Sequence, residues 1–189
     1  EAISNFFPDI EIVQISNPVP FETNRIVDGI KKKKIVYFGR IHPHKNIHLV
    51  IQSFIKANLE DDWKLEIYGI LDDASYYKHL KKVIGKNKKI IINEPVFGVE
   101  KQKIMSEAWL NILVSKSEVL SLSILESSLF GLPTLVNKEI EISGNHETII
   151  FTDINEDSIA KKIQDISKWS LEDRIFKQKK IIEVAKNQS

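Results

Sequence analysis

The chain has 189 residues, of which 42% are hydrophobic and 28% charged, a balance typical of a globular protein with one sizeable core rather than of a disordered or fibrous chain. The formal net charge of +1 provides no overall field that would attract nucleic acid or a membrane. Cysteine is absent, which excludes disulfides, thiolate metal sites and cysteine nucleophiles. No run approaches the roughly 18 consecutive apolar residues of a membrane span.

The first 30 residues contain a short strand-like run over residues 11–15 and then SNPVPFETNRIVDG, whose prolines and asparagines predict an ordered linker. The chain begins with Glu1 in what resembles structured sequence, so we expect it to be a fragment of a longer protein. Four lysines follow over residues 31–34. They could form a patch for nucleic acid or lipid, but a lone run before a strand is more often a solvated turn.

From residue 34 onward, short apolar runs alternate with segments of helical spacing. Strands are predicted at residues 35–38, 65–68, 89–92, 113–115, 134–136 and 148–151. Helices are predicted from Asn46, after an acidic cap at 72–73, over 99–108, around Glu126, over 157–166 and from Ser170, where Ser170 and Asp173 fit a capping box. The alternation predicts an α/β fold: one Rossmann-like domain over residues 31–170, a parallel sheet with helices on both faces, and a final helix over 171–189.

Ligands of open parallel sheets bind beyond the carboxyl ends of the strands, so the residues after each strand are the candidates for a site. Arg40 and Lys45 place two cations on one strand-exit loop. Ser121, Leu122 and Ser123 place backbone amides at the start of a helix, an arrangement suited to a phosphate or diphosphate. Spacing leaves open the alternative that both cations are ordinary surface charges.

Two carboxylates eight positions apart, Glu118 and Glu126, lie in the same stretch. Ser123 and Glu126 fit Ser-x-x-Glu, so Glu126 could close a capping box on the helix. It could equally accept hydrogen bonds from the vicinal hydroxyls of a ribose. Glu118 follows a strand in a loop and has no evident basic partner nearby, and spacing leaves a structural and a functional role equally open.

The sequence contains no recognisable motif for a metal site or for a catalytic nucleophile. His42, His44 and His48 are close in sequence, but no carboxylate or cysteine completes a recognisable ligand set, so no metal site is expected. The chain lacks a Ser-His-Asp arrangement, a Gly-x-Gly-x-x-Gly loop and a Walker lysine loop. These absences disfavour a hydrolase, a Rossmann dehydrogenase and a P-loop enzyme.

Several of these motifs, in order, resemble a known family. YFGRIHPHKNIHLVIQSF is similar to the Gly-Arg … Lys-Gly segment that opens the C-terminal domain of family-four, retaining, nucleotide-sugar-dependent glycosyltransferases of the GT-B fold. SKSEVLSLSILESSLFGLPTLV resembles that family's Glu, seven residues, Glu signature with its following Gly-x-Pro strand. IYG and EPVFGVEK stand where the family has glycine-containing turns, and the similarity covers about residues 34–166.

The resemblance implies a role for each candidate residue. Arg40 and Lys45 would neutralise the donor diphosphate, and the amides of Ser121, Leu122 and Ser123 would cap it. Glu126 would hold the ribose hydroxyls, and Glu118 would act as the catalytic carboxylate beside the donor sugar. The turn formed by Pro95, Val96 and Phe97 would lie at the edge of the nucleotide base. The assembly would stabilise the charge that grows on the leaving nucleoside diphosphate, without a metal or other cofactor.

The chain departs from the family pattern in two kinds of place. The usual Gly-Phe-Gly after the first glutamate is Val119, Leu120 and Ser121, and the glycine of the Lys-Gly pair is Asn46. The acceptor-binding N-terminal domain of such enzymes is missing, and residues 1–30 would be its end and the interdomain linker, while the last helix would lead back towards it. We therefore expect this chain alone to bind a nucleoside diphosphate weakly and to transfer no sugar.

For the full-length enzyme, the resemblance implies an NDP-sugar donor and a glycan or lipid-linked acceptor, as in polysaccharide biosynthesis. We expect the full-length enzyme to be cytoplasmic, with peripheral association at the inner face of the membrane, and the net charge of +1 indicates no nucleic-acid partner. Two alternatives remain open: a nucleotide-sugar epimerase with a similar donor half, and a non-catalytic flavodoxin-like α/β binding domain. The pair Gly39 and Arg40 disfavours the latter, because a phosphoacceptor site would have acidic residues at the end of the first strand.

Overall fold

A computed structural model describes residues 31–116, 122–140 and 149–186. The described strands are β1 (Lys34–Phe38), β2 (Lys64–Tyr68), β3 (Ile90–Asn93), β4 (Leu110–Leu113), β5 (Thr134–Asn137) and β6 (Ile149–Thr152). The described helices are α1 (Ile47–Ala57), α2 (Ala74–Ile84), α3 (Gly98–Glu107), α4 (Leu122–Leu129), α5 (Glu156–Ser167) and α6 (Leu171–Lys186), with one 3-10 turn at Pro43–Lys45. The predicted strand at residues 11–15 lies outside the described residues.

The strands form one parallel sheet in the order β3-β2-β1-β4-β5-β6. This is the Rossmann order, and it differs from the 2-1-3-4-5 order of flavodoxin-like domains. The prediction of a Rossmann-like α/β fold is therefore confirmed, and the flavodoxin-like alternative is wrong. The order reverses between β1 and β4, which makes the carboxyl ends of these two strands the switch point where such sheets bind ligands.

The side chains of β1 show how one strand contributes to cores on both faces of the sheet. Ile35 and Tyr37 point into a large core with α1, α2 and α5, whereas Val36 and Phe38 join a smaller one with α3 and α4. The alternation follows from the two-residue period of a strand. Both faces are thus covered by helices, as predicted.

Most predicted elements lie within one or two residues of the observed ones, but the fourth strand does not. The sequence predicts this strand at residues 113–115, whereas the structure has it at Leu110–Leu113. Asn111 interrupts the apolar run and hides the start of the strand, yet its side chain is fully buried. Its amide donates to the hydroxyls of Ser127 and Ser123, at 3.0 and 3.3 Å, so the polar residue is tolerated in the core.

The last helix is fixed to the rest of the domain at its start. Ser170 and Asp173 form the predicted capping box, in which the Asp173 carboxylate accepts from the Ser170 amide and the Ser170 hydroxyl accepts from the Asp173 amide. One turn in, the Arg174 guanidinium is fully buried and donates to three backbone carbonyls, those of Ala108, Trp109 and Gly131. Burial lowers the pKa of Arg174 to about 9. These bonds join α6 to the start of β4 and to the turn before β5.

The lysine run that precedes β1 is neutralised by neighbouring groups. Lys32 pairs with Glu107, Lys33 with Glu60 and Asp62, and Lys34 with Glu66. Lys31 donates to the carbonyl of Ser106. The run therefore serves as a set of local ion pairs, and the idea of a nucleic-acid or lipid patch loses its basis. Among the residues that the model describes, no helix has the length and apolar character needed to cross a bilayer.

Candidate functional site

The loop after β1 is tied to the exit of β4 at the switch point of the sheet. The Asn46 side-chain amide donates to the carbonyl of Val114 over 2.9 Å, and the Lys116 amide donates to the carbonyl of His44 over the same distance. The two bonds hold the segment that carries Arg40 and Lys45 against the segment that leads from β4 towards α4. Two of the predicted ligand loops are therefore brought together.

Asn46 explains how the chain tolerates one departure from the family pattern. It has φ 52° and ψ 31°, in the left-handed region that glycine favours, and Asn is among the few other residues that adopt this conformation readily. The residue is 4% exposed, and its side chain makes the bond to Val114. Asn46 thus keeps the backbone shape expected of glycine and adds a tie to β4.

The exits of β1 and β2 approach each other closely at two glycines. A Cβ placed on Gly69 would lie 2.0 Å from the carbonyl oxygen of Gly39. Just after this close approach, the Ile41 amide donates a hydrogen bond of 2.8 Å to the carbonyl of Ile70. Glycine at position 69 is required by this close approach, which sets where the chain leaves β1 and hence where Arg40 begins the loop.

The two predicted cations differ in their surroundings. The Arg40 guanidinium lies 3.2 Å from the Asp72 carboxylate, and the two side chains are 67% and 42% exposed. Lys45 is half-buried at the end of the short 3-10 turn, next to Asn46. Since an exposed pair of this kind contributes little to stability, Arg40 can exchange Asp72 for an anionic ligand at small cost.

Glu126 is almost completely buried and has a cationic partner. Its Oε2 lies 2.5 Å from the Lys101 Nζ, and the side chains of Lys101 and Glu126 are 16% and 7% exposed. Helix α4 begins at Leu122, so Ser123 lies inside the helix rather than at its N-cap. The capping-box alternative for Glu126 is therefore wrong, because the carboxylate pairs with Lys101 on α3.

Lys101 is itself held by a stack of aromatic side chains from β1 and β2. Its Nζ lies 5.4 Å from the centre of the Phe38 ring, and the rings of Phe38 and Tyr68 stack at 5.3 Å. The Tyr68 hydroxyl donates to the Glu66 carboxylate. Burial, together with this hydrogen bond and the negative charge of Glu66, raises the pKa of Tyr68 well above its usual range, so the hydroxyl stays protonated.

The turn predicted to edge a base lies between β3 and α3. Val96 packs against the core around Phe38, while Phe97, immediately before α3, is 69% exposed. Pro95 is partly exposed. An exposed aromatic ring beside a buried anchor offers an apolar surface on which a flat ligand could stack.

The histidines make local contacts. His42 accepts a hydrogen bond from the backbone of His44. His48 shares a hydrogen bond of 2.9 Å with the Tyr76 hydroxyl, and burial lowers the pKa of His48. Within residues 31–116, 122–140 and 149–186, no group of three or more carboxylate and imidazole side chains comes together in a way that could hold a metal ion.

The fold thus brings the Arg40–Lys45 loop to the exit of β4, and it links Glu126 through Lys101 and Phe38 to the end of β1. Leu122 and Ser123 form the first turn of α4, while Glu118 and Ser121 lie outside the described residues. Lys101 is the site residue that the sequence reasoning missed. The signal was a lysine in the first turn after the EPVFG turn, but nothing in the sequence indicated that α3 lies beside α4.

Comparison with known proteins identifies the family of this chain. A family model described as "Glycosyl transferases group 1" matches residues 21–188, which is most of the chain. The chain belongs to this glycosyltransferase family. A search of curated proteins returned no significant match.

Solved glycosyltransferase structures share the fold at low sequence identity. The pneumococcal O-GlcNAc transferase GtfA, in complex with UDP and GlcNAc, is 19% identical with a TM-score of 0.64 over 85% of this chain and 33% of that one. Anabaena HepE, in complex with UDP and glucose, is 16% identical with a TM-score of 0.67 over 86% and 45%. The catalytic domain of Helicobacter pylori cholesterol-alpha-glucosyltransferase is 19% identical with a TM-score of 0.64 over 82% and 98%.

The chain therefore spans a third to less than half of the first two of these structures. At such identities the likeness shows the fold alone. It confirms the prediction of the Rossmann-like domain found in GT-B glycosyltransferases.

Proposed function

We propose that this chain is the donor-binding domain of a glycosyltransferase and that it binds a nucleoside diphosphate sugar at the switch point between β1 and β4. The observation that carries the proposal is the pair of hydrogen bonds from Asn46 to Val114 and from Lys116 to His44. They hold a cationic strand-exit loop beside Val114 and Lys116 at the exit of β4. In this proposal the two cations of the loop and the amides at the start of α4 bind the same diphosphate, a ligand suited to both kinds of group.

In this proposal Arg40 and Lys45 bind the diphosphate, and the backbone amides of Ser121, Leu122 and Ser123 cap it. These groups stabilise the negative charge that develops on the leaving nucleoside diphosphate as the glycosidic bond breaks. Glu118 is the catalytic carboxylate on the donor-sugar side. Because Arg40 and Lys45 supply positive charge, we expect nucleotide binding to be unchanged by a metal chelator.

Glu126 accepts hydrogen bonds from the ribose hydroxyls, and Pro95, Val96 and Phe97 edge the base. Supporting this arrangement, Phe97 is largely exposed beside α3, and Glu126 is linked to the same region through Lys101. UDP is the first nucleotide to test, since GtfA and HepE were each solved in complex with UDP. The donor sugar would then be carried as a UDP-sugar.

Transfer itself requires more than this domain. We propose that the full-length enzyme retains the anomeric configuration and that a second domain preceding residue 31 supplies the acceptor site for a glycan or lipid-linked acceptor. Residues 171–189 would lead back towards that domain. We expect a cytoplasmic enzyme with peripheral contact to the membrane, and an isolated 189-residue chain that binds nucleotide without turnover.

Calorimetric titration with UDP, GDP and ADP tests the assignment. At least one should bind the wild type at millimolar concentration or better. Arg40→Ala should weaken binding by about tenfold or more, since a hydrogen bond to a charged group contributes roughly 1.5–3 kcal/mol. Glu126→Ala should weaken it as well, through loss of the ribose contacts.

Lys88→Ala provides a matched control, because Lys88 is an exposed cation just before β3, at the opposite edge of the sheet. It should bind like the wild type. The proposal fails if no nucleotide binds at millimolar concentration, or if Arg40→Ala and Glu126→Ala both bind as the control does. Turnover by the isolated chain with a UDP-sugar would contradict the need for a second domain.

A further inference from the structure

We propose that Lys101 is a positioning residue for ribose recognition, which fixes the Glu126 carboxylate in the orientation that accepts the ribose hydroxyls. This inference rests on the proposed function of Glu126. It adds a residue from α3 that contacts no substrate itself and acts through the carboxylate. The alternative is a latch, in which the ion pair with Lys101 blocks the Glu126 carboxylate and must break before a ribose binds.

The burial of the pair shows why Glu126 needs a partner. A carboxylate with 7% exposure has lost nearly all of its hydration, and an uncompensated buried charge is unfavourable. The Lys101 ammonium, at 2.5 Å, supplies both the opposite charge and a hydrogen bond. Without it, nothing on α4 among the described contacts would hold the carboxylate in one rotamer.

The surroundings of Lys101 favour a fixed position over a displaceable one. Its ammonium lies over the Phe38 ring as well as beside Glu126, and Phe38 is stacked on Tyr68. Tyr68 is in turn bonded to Glu66, which also pairs with Lys34 over 2.7 Å. Lys101 is therefore held by side chains that belong to β1 and β2 and lie outside α4.

The Glu126 carboxylate can accept more hydrogen bonds than Lys101 donates to it. An ionised carboxylate has two oxygens and about four acceptor positions, of which Lys101 takes one on Oε2. A ribose with two vicinal hydroxyls needs two of those that remain. Lys101 and a ribose can thus bind Glu126 together, and the pair of Lys101 and Glu126 carries no net charge that would repel the nearby diphosphate.

The test compares ribonucleotides with their 2′-deoxy counterparts. Calorimetry on the full 189-residue chain would use UDP, GDP and ADP and the matching 2′-deoxynucleoside diphosphates, with wild type, Lys101→Met, Lys101→Gln and Lys101→Arg. We expect Lys101→Met to weaken ribonucleotide binding by about fivefold or more, in line with loss of a charge-assisted contact, and to weaken 2′-deoxynucleotide binding less. Preference for ribose should therefore fall, and Lys101→Arg should restore it.

Two further arms separate positioning from a structural or a latch role. In a Glu126→Gln background, Lys101→Met should cause no additional loss of ribose preference, because both changes act on the same hydrogen bonds. Should Lys101→Met fail to fold, Lys101→Gln, whose neutral amide stays polar but is one bond shorter than the ammonium, must show the same direction of change. Folding of each variant is checked by circular dichroism.

The possible results separate the role of Lys101 from nucleotide binding by the domain as a whole. If the wild type binds nucleotides but Lys101→Met keeps its full preference for ribose, Lys101 is only structural and the inference is wrong. Tighter ribonucleotide binding by Lys101→Met would show a latch and also overturn it. If the wild type binds no nucleotide at all, the proposed function fails and this inference fails with it.

Discussion

Two ion pairs lie at the carboxyl edge of the same sheet, and they differ in almost every physical respect. Arg40 and Asp72 are 3.2 Å apart with side chains 67% and 42% exposed, whereas Lys101 and Glu126 are 2.5 Å apart with side chains 16% and 7% exposed. The first pair sits on strand-exit loops in water. The second lies between two helices and beside the aromatic rings of Phe38 and Tyr68.

The difference indicates how one site can combine exchange with fixed geometry. An exposed pair contributes roughly 0–1 kcal/mol, so a diphosphate can replace Asp72 on Arg40 at small cost. A buried pair cannot lose one partner without leaving an uncompensated charge, so Lys101 and Glu126 stay together. The site would then have an adaptable phosphate end and a fixed ribose end.

The largest expected effect comes from breaking the buried pair. Lys101→Met should lower the free energy of unfolding by about 3 kcal/mol, because it leaves the Glu126 carboxylate buried without a cation. Arg40→Ala, which breaks the exposed pair, should lower it by less than about 1 kcal/mol. Urea unfolding followed by tryptophan fluorescence measures both, with Trp63 and Trp109 in the core as reporters.

The double variant Lys101→Met with Glu126→Gln is the control for this prediction. Removing both charges should recover most of the lost stability, since a neutral pair has little desolvation cost. If Lys101→Met is no more destabilising than Arg40→Ala, the two pairs do not differ as described.

An intermediate effect is expected at the backbone that positions the exposed pair. Gly69→Ala would place a Cβ 2.0 Å from the carbonyl oxygen of Gly39, and overpacking of this kind costs roughly 1–3 kcal/mol. Relief of the clash should move the start of the Arg40 loop, so nucleotide binding should weaken as well. Gly98→Ala meets no atom within 4 Å and should lose only the advantage of glycine at its φ of 52°.

Thermal unfolding and calorimetry of the two glycine variants measure these effects. A Gly69→Ala protein with the stability and nucleotide affinity of the wild type would show that the exits of β1 and β2 can separate without consequence. The position of the Arg40 loop would then not depend on the close approach of Gly39 and Gly69.

The smallest effect concerns the exchange of Asp72 for a ligand. Asp72→Asn should tighten UDP binding by about two- to fivefold, because the carboxylate no longer competes for Arg40 and an exposed pair contributes at most about 1 kcal/mol. The gain should shrink as salt concentration rises. Asp62→Asn, which alters a surface carboxylate paired with Lys33 near the start of β2, is the control. Weaker binding by Asp72→Asn would mean that Asp72 positions Arg40 rather than competing for it.

The fold was largely legible in the sequence because its main signals are local. The run at residues 35–38 is apolar at every position, which is the local signal of a strand buried on both faces, and its side chains enter two cores in alternation. The start of β4 was missed because Asn111 looks like a strand breaker until the hydroxyls of Ser127 and Thr134 are seen around it. Burial of a polar side chain depends on partners that come from distant parts of the chain.

The sequence predicts only part of the candidate site, because some of its residues are brought together by contacts between distant parts of the chain. Arg40, Lys45 and Glu126 occur in motifs with a recognisable spacing. Lys101 does not, because its importance comes from α3 lying beside α4, a consequence of the crossover from β3 to β4. Asn46 stands where the family has glycine, and only its left-handed backbone shows that the departure is conservative.

Amide chemical-shift mapping by NMR during titration with UDP tests whether the loop after β1 and the first turn of α4 bind one nucleoside diphosphate, and the 21.8 kDa chain is small enough for that method. We expect shifts concentrated in residues 39–46, 97–101 and 122–126. Saturable shifts concentrated on α6 and the opposite edge of the sheet, or no shifts with UDP, GDP or ADP at millimolar concentration, would contradict this expectation.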